Sequence, residues 1–277
     1  MTKQKLIVIA GPTATGKSDH AVELALKVNG EIISADSRQI YRGMDLGTGK
    51  ITVAEMRGIP HHLLDVRDPH ENFSVQEYKE LADAAIADIV AREKTPILCG
   101  GTGFFIQAVI DNVTLPQVPP NPELRTKLET LSNEELFNQL QKMDPDRAET
   151  IDPDNKRRII RALEIATALG HVPKQEMEES LYDLEIIYLD KLDDELHERI
   201  EKRLIDRLEK GMIEEVKQLN EKGISWQRLE NFGLEYRFIA EFLQDKISHN
   251  EMIESIKTKS WQYAKRQRTW FKKYLIK

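Results

Sequence analysis

The chain has 277 residues, 40% of them hydrophobic and 31% charged, with a formal net charge of −7. This is the make-up of a soluble globular protein large enough for one core, or a core with an inserted lobe; no apolar run approaches the ~20 residues a membrane span needs, and the acidic mean by itself argues against a polyanion partner. The single cysteine, Cys99, excludes an internal disulfide and points to a reducing, cytoplasmic setting.

Met1 to Lys5 leads into Leu6-Ile7-Val8-Ile9-Ala10 with no leader pattern. That β-branched run reads as a buried parallel strand. Gly11-Pro12-Thr13-Ala14-Thr15-Gly16-Lys17-Ser18 follows, a G-x-x-x-x-G-K-S pattern, and then a helix with Ala21, Leu24, Ala25 and Val28 on one face and Gly30 as its stop. Strand, Gly-rich turn and helix form the context in which this pattern is a phosphate-binding P-loop. The glycines let backbone N–H groups curl inward, and the helix N-terminus adds partial positive charge. Lys17 brings a full charge to the outer phosphates, and the Ser18 hydroxyl suits Mg²⁺. Diphosphate and triphosphate both fit such a loop.

Glu31 to Asp36 reads as a second strand ending in a carboxylate. In a doubly wound parallel sheet ligands bind beyond the carboxyl ends of the strands, so Asp36 falls on the P-loop edge. A loop spans Gly43 to Gly49. Ile59 to Asp65 is a third extended stretch; its His61-His62 pair points to opposite faces, which suits a structural role better than a metal site. A helix with Tyr78, Leu81, Ala85, Ile89 and Val90 follows, with Ser74 or a neighbour as cap. Thr95 to Cys99 is another buried strand. It ends in Gly100-Gly101-Thr102-Gly103, where many P-loop NTPases place an aspartate; that departure argues against plain ATP hydrolysis.

Residues 116–122 hold four prolines in seven positions, which cannot continue a helix or central strand. A helical insertion is expected over residues 116–182, between core segments 1–115 and 183–277. Within it Arg157 and Arg161 are neighbours on one helix face. Leu184 to Asp190 reads as a strand returning to the sheet. The next helix, capped by Asp193 or Asp194 and ended by Gly211, carries Arg199, Arg203 and Arg207 at four-residue spacing. One of the three suits a phosphate, while i,i+4 pairing with Glu195 or Asp206 is the plainer reading for each of them. From Ile256 to Lys277 there are eight Lys or Arg and no Asp or Glu. The interleaved Trp261, Tyr263, Trp270, Phe271 and Tyr274 suit stacking on bases, and equally the packing of rings on a core.

Taken together these residues resemble the tRNA dimethylallyltransferase (isopentenyl-tRNA transferase) family over nearly the whole chain. The matching pieces are GPTATGKS at 11–18, ADSRQIYRGMDLGTGK at 35–50, GIPHHLLD at 58–65, GGTG at 100–103, PELR at 122–125, RRIIRALE at 157–164, HERIEKRL at 197–204, GLEYR at 233–237 and YAKRQRTWF at 263–271. Arg38 and Gly49 depart from residues common in the family. The resemblance implies a P-loop NTPase-like α/β core with an all-helical insertion, acting as a monomer. It implies that residues Gly11 to Ser18 seat the diphosphate of dimethylallyl diphosphate, with Mg²⁺ at Ser18. The acceptor would be N6 of the adenosine just 3′ of the anticodon in tRNAs reading codons that begin with U. Asp36 matches the family's base, Thr102 the residue that hydrogen-bonds near the amine, and Arg203 the arginine that assists Lys17. The tRNA contacts it implies are Asp36, Ser37, Arg38, Gln39, Thr102, Arg125, Arg157, Arg158, Ile159, Ile160 and Arg161, closing on an anticodon loop from which the target base is flipped. A P-loop small-molecule kinase using bound ATP is the alternative, and a nucleotide-gated RNA-binding module a third.

Overall fold

The computed structural model describes residues 3–174 and 179–275. In chain order its elements are β1 (Gln4–Ala10), α1 (Lys17–Val28), β2 (Gly30–Ser34), α2 (Val53–Met56), β3 (His61–His62), α3 (Val75–Ala91), β4 (Thr95–Gly100) and α4 (Gly103–Ile110). Then come α5 (Pro122–Glu129), α6 (Asn133–Met143), α7 (Pro145–Thr150), α8 (Lys156–Leu169) and β5 (Tyr182–Tyr188). The chain closes with α9 (Asp193–Glu209), α10 (Met212–Glu221), α11 (Trp226–Phe232), α12 (Leu234–Leu243) and α13 (His249–Tyr274). Two compact units result: Met1–Asn112 with Glu179–Lys277, and Val113–Glu178. No helix among the described residues is long and apolar enough to cross a membrane.

The first unit is a parallel sheet in the order β3-β2-β4-β1-β5. β1 pairs with β4 from Ile7↔Ile97 to Ala10↔Gly100, and with β5 from Gln4↔Tyr182 to Ala10↔Tyr188. Alternate side chains go to opposite faces. Leu6, Val8, Ile33 and Leu98 pack with Tyr78, Ile86, Ile89, Phe105 and Ile106 of α3 and α4. Ile7, Ile9, Ile32 and Ile97 pack on Ala21, Val22 and Ala25 of α1. A sheet covered on both faces needs apolar residues at every position, which is why these strands read as continuous apolar runs. The architecture is the doubly wound P-loop α/β fold with a helical segment inserted between α4 and β5. A second core, with Tyr41, Met44, Met212, Val216, Phe232, Tyr236 and Met252, gathers the C-terminal helices.

Local chemistry explains most boundaries. Ser74 caps α3 in a capping box with Glu77, and Ser248 does the same for α13 with Glu251. Some expectations shift. Asn29, in the left-handed region, caps α1, and Gly30 opens β2. Neither Asp193 nor Asp194 caps α9; Leu192 holds that position and both aspartates lie in the first turn. There they favour the helix dipole, and Asp193 also pairs with Arg268. The returning strand starts at Tyr182, whose hydroxyl donates to Asp83 at 3.0 Å, so Tyr182 belongs with the sheet.

The second unit is helical. Leu128, Leu136, Leu140, Ala148, Ile151, Ile159, Ile160 and Leu163 form its core. Asn121, Ser132, Asp144 and Asn155 cap α5 to α8, and Pro122 and Pro145 occupy first-turn positions where a missing N–H costs nothing.

Candidate functional site

All strands run the same way, so β1, β2 and β4 deliver three loops to one edge: the P-loop, the Asp36 turn and Gly100 to Gly103. Gly16 has φ 87° and leads directly into α1, a conformation costly for any side chain. Thr15 Oγ1 donates to Pro12 O at 2.9 Å, and Lys17 Nζ donates to the same oxygen at 2.5 Å. Burial pushes the Lys17 ammonium down to about 8; Arg203 adds repulsion, while Cys99 and Asp36 oppose the shift. The Cys99 thiol, at the end of β4, is itself pushed up to about 11 by burial, so it stays neutral.

The Asp36 turn is knitted to the Thr102 loop. Asp36 Oδ1 accepts from the N–H groups of Arg38 (2.9 Å) and Gln39 (3.4 Å), which orients the carboxylate. The Thr102 N–H donates to Ala35 O at 3.0 Å, and Thr102 Oγ1 accepts from the Ser37 N–H at 3.0 Å. Gly100 permits this approach: a Cβ there would stand 2.2 Å from Ala35 O. Asp36, Ser37, Arg38 and Gln39 are all half-buried. The Gln39 amide is turned to Thr48 O and Gly49 O. The structure thus brings Asp36, Thr102 and Lys17 together at one edge.

Of the three arginines on α9, two are spoken for. Arg199 pairs with Glu195. Arg207 pairs with Glu235 and donates to Leu46 O and Gly47 O. Arg203 has no hydrogen-bond or ion-pair partner for its guanidinium among the described residues. It lies beside the 43–49 loop: a Cβ on Gly49 would meet its Nη2 at 2.8 Å. It keeps solvent access, yet the surrounding protein displaces enough water to lower its pKa, with Arg207 next in effect. The loop itself is clamped by Glu215, whose carboxylate accepts from the N–H groups of Asp45, Leu46 and Gly47 and from the Tyr236 hydroxyl.

Two site residues carry no motif signal that singles them out. Gln267 of α13 accepts from the Thr13 N–H at 2.9 Å and donates to Gly101 O at 2.8 Å, tying the P-loop to the Thr102 loop. The Thr13 N–H therefore points to Gln267 and is not part of the anion-facing set expected from Gly11 to Ser18. Glu215 is the other. Their partners lie far away in sequence, so no local pattern announces them.

In the second unit the expected tRNA contacts divide. Ile159 and Ile160 are buried in its core, which corrects their assignment as contact side chains: they hold α8 in place. Arg125 and Arg161 both reach the buried carboxylate of Glu164, Arg125 at 2.7 and 2.8 Å, and Arg161 also donates to Val118 O. Arg157 and Arg158 are exposed in the first turn of α8.

Among the described residues no three His, Cys, Asp or Glu side chains cluster as a metal site. The exposed Ser18 hydroxyl in the first turn of α1 is a hard oxygen donor. It suits Mg²⁺ carried mainly by phosphate oxygens and water, the usual habit of that ion.

Fold and site define a P-loop-like α/β protein whose glycine-rich turn stands on one sheet edge with Lys17 and the Asp36 carboxylate, Arg203 lying unpaired beside the 43–49 loop. The family model described as IPP transferase matches residues 39–274, and the chain belongs to that family. A tRNA dimethylallyltransferase of Anoxybacillus flavithermus is 43% identical over 274 residues, covering 97% of this chain and 88% of the relative. One from Halalkalibacterium halodurans is 42% identical over 280 residues, covering 98% and 88%. Among solved structures, the full-length tRNA isopentenylpyrophosphate transferase of Bacillus halodurans superposes with TM-score 0.74 at 41% identity, covering 99% of this chain and 88% of that one. A eukaryotic dimethylallyltransferase acting on tRNA gives TM-score 0.84 at 32% identity, covering 99% and 71%.

Proposed function

We propose that this chain transfers the dimethylallyl group of dimethylallyl diphosphate to N6 of the adenosine just 3′ of the anticodon, in tRNAs reading codons that begin with U. One observation carries the reading. Half-buried Lys17 heads α1, and Asp36, its carboxylate oriented by the Arg38 and Gln39 N–H groups, stands on the same sheet edge, while Arg203 beside the 43–49 loop has no side-chain partner among the described residues. Cations that no carboxylate pairs with suit a leaving diphosphate, and a carboxylate on the same edge is the group an amine acceptor needs.

The transfer forms the N6–C1 bond, breaks the C1–O bond to diphosphate and releases one proton from N6. Lys17, Arg203 and the N-terminus of α1 take up the charge growing on the leaving oxygens. Asp36, oriented by the Arg38 and Gln39 N–H groups, accepts the proton. Thr102 holds the turn in place through Ser37. Mg²⁺, when bound at Ser18, neutralises part of the diphosphate charge. The target adenine leaves its stack to reach this edge, and exposed Arg157 and Arg158 serve RNA phosphates. The enzyme works as a monomer in the cytoplasm.

The test is mass analysis of tRNA after incubation with dimethylallyl diphosphate and Mg²⁺, with a parallel incubation in γ-labelled ATP. A five-carbon increase on the adenosine 3′ of the anticodon is expected. Phosphoryl transfer from ATP with no prenylated tRNA would establish the kinase reading instead.

A further inference from the structure

Residues 45–47 direct three successive N–H groups onto one carboxylate. Glu215 of α10 accepts from Asp45 at 2.9 Å, Leu46 at 2.7 Å and Gly47 at 3.0 Å, and from the Tyr236 hydroxyl at 2.6 Å. Consecutive N–H groups that converge in this way form a nest for an anion, and here the chain fills the nest with its own side chain. Glu215 is half-buried and forms no ion pair among the described residues. Its charge therefore rests on these four donors, each making a charge-assisted bond. The Tyr236 ring is the floor of the same loop: a Cβ on Gly47 would stand 2.4 Å from it. The Arg207 guanidinium takes the loop carbonyls, donating to Leu46 O and Gly47 O, both at 3.1 Å.

The loop passes this rigidity on at Gly49. That glycine is in the left-handed region at φ 61°, and the Arg203 guanidinium lies close against it, with Nη2 2.8 Å from where a Cβ would be. Arg203 is exposed and has no hydrogen-bond or ion-pair partner among the described residues, so no other side chain fixes its direction. A long side chain gives up rotamer freedom when it engages a ligand. A wall beside the guanidinium removes part of that freedom in advance. The Gln39 amide, bonded to Thr48 O and Gly49 O, ties the same wall to the turn that carries Asp36. We infer that Glu215 is a positioning residue: by holding residues 45–47 it fixes the loop edge at Gly49 against which Arg203 rests, and so aims Arg203 at the departing diphosphate. This rests on the proposed prenyl transfer. Glu215 does so without pairing with Arg203, whose charge stays available to a phosphate.

The test places Glu215→Gln in the parent chain and in Arg203→Ala. The amide keeps the length and one accepting oxygen, but sets an amino group against the loop N–H groups. Gly47→Ala is a second route to the same loop: its Cβ meets the Tyr236 ring and shifts the loop without altering any charge. Affinity for inorganic diphosphate is read by calorimetric titration, with the melting temperature of every variant alongside. Each substitution should weaken diphosphate binding by about fivefold in the parent chain, and by less than about twofold once Arg203 is gone, because its effect runs through that side chain. A residue that only stabilises the helices around it would weaken binding by the same factor in both backgrounds. That result, or unchanged affinity in the parent background, would overturn the inference. In transfer assays, Glu215→Gln should raise the KM for dimethylallyl diphosphate by about the same factor and leave the KM for a tRNA anticodon stem-loop at the parental value. An equal rise in both KM values would also overturn it. Coupled diphosphate binding in a chain that transfers no dimethylallyl group would refute the proposed function and leave the positioning role standing.

Discussion

Replacing Gln267 by alanine tests whether the C-terminal helix shapes the anion seat. The substitution removes the acceptor of the half-buried Thr13 N–H and the donor to the buried Gly101 O. An orphaned buried polar group costs about 1–3 kcal/mol, and the half-buried Thr13 N–H costs at the low end of that range, so the two together cost roughly 2–4 kcal/mol. At about 2–4 °C per kcal/mol for chains near this size, the melting temperature should fall by roughly 5–10 °C. If a bound anion must re-order the loosened loop, about 1 kcal/mol of that loss appears in binding, a weakening of roughly fivefold. Gln267→Glu separates the two effects. It keeps an acceptor for Thr13 but sets a carboxylate against Gly101 O and beside the seat, so its diphosphate affinity should fall below that of the alanine variant. Calorimetric melting and titration with inorganic diphosphate read both quantities. An alanine variant that melts within 2 °C of the parent and binds diphosphate equally well would show that Gln267 does not brace the loop.

Asp36→Asn keeps an oxygen for the Arg38 and Gln39 N–H groups but removes the base; turnover should fall by about 10²–10⁴ with stem-loop affinity retained, and near-parental single-turnover rates would remove Asp36 from the role. Because a bound diphosphate favours the charged form of Lys17, whose pKa stands at about 8 without it, affinity for dimethylallyl diphosphate should be level below pH 8. It should decline by about tenfold per pH unit above that, read by titration, and a flat profile to pH 9.5 would contradict the burial of Lys17. In Arg203→Ala the onset of that decline should move to higher pH, since one source of repulsion is gone, while affinity drops by tenfold or more. In the second unit, burial works to raise the Glu164 pKa, but Arg125, the Asn121 N–H and Arg161 outweigh it and hold it below its ordinary value. Its stabilisation is therefore present at neutral pH and lost as pH falls below the ordinary carboxylate range. Glu164→Gln should cost about 3 kcal/mol at pH 7 in melts of the full chain, with the gap to the parent closing in acid.

The sequence by itself determined what depends on near neighbours. Strand, Gly-rich turn and helix are successive over residues 6–28, so the P-loop and its lysine were legible, as was the carboxylate in the turn just past β2. The proline cluster marked the inserted helices, because proline acts on its own residue and the one before it. Boundaries slipped where two neighbours compete for one role, as with Asn29 and Gly30 or Leu192 and Asp193. What only the tertiary structure decided rests on pairs distant in sequence. Three arginines share one stripe on α9; Glu195 holds Arg199 locally, but only the arrival of Glu235 and the 43–49 loop occupies Arg207 and leaves Arg203 the unpaired one. Arg125 reads as an open cation until Glu164, 39 residues on, claims it. Gln267 braces the P-loop across 254 residues. A local pattern records the helical face on which a residue lies; which partner meets that face is settled only when the chain folds back on itself.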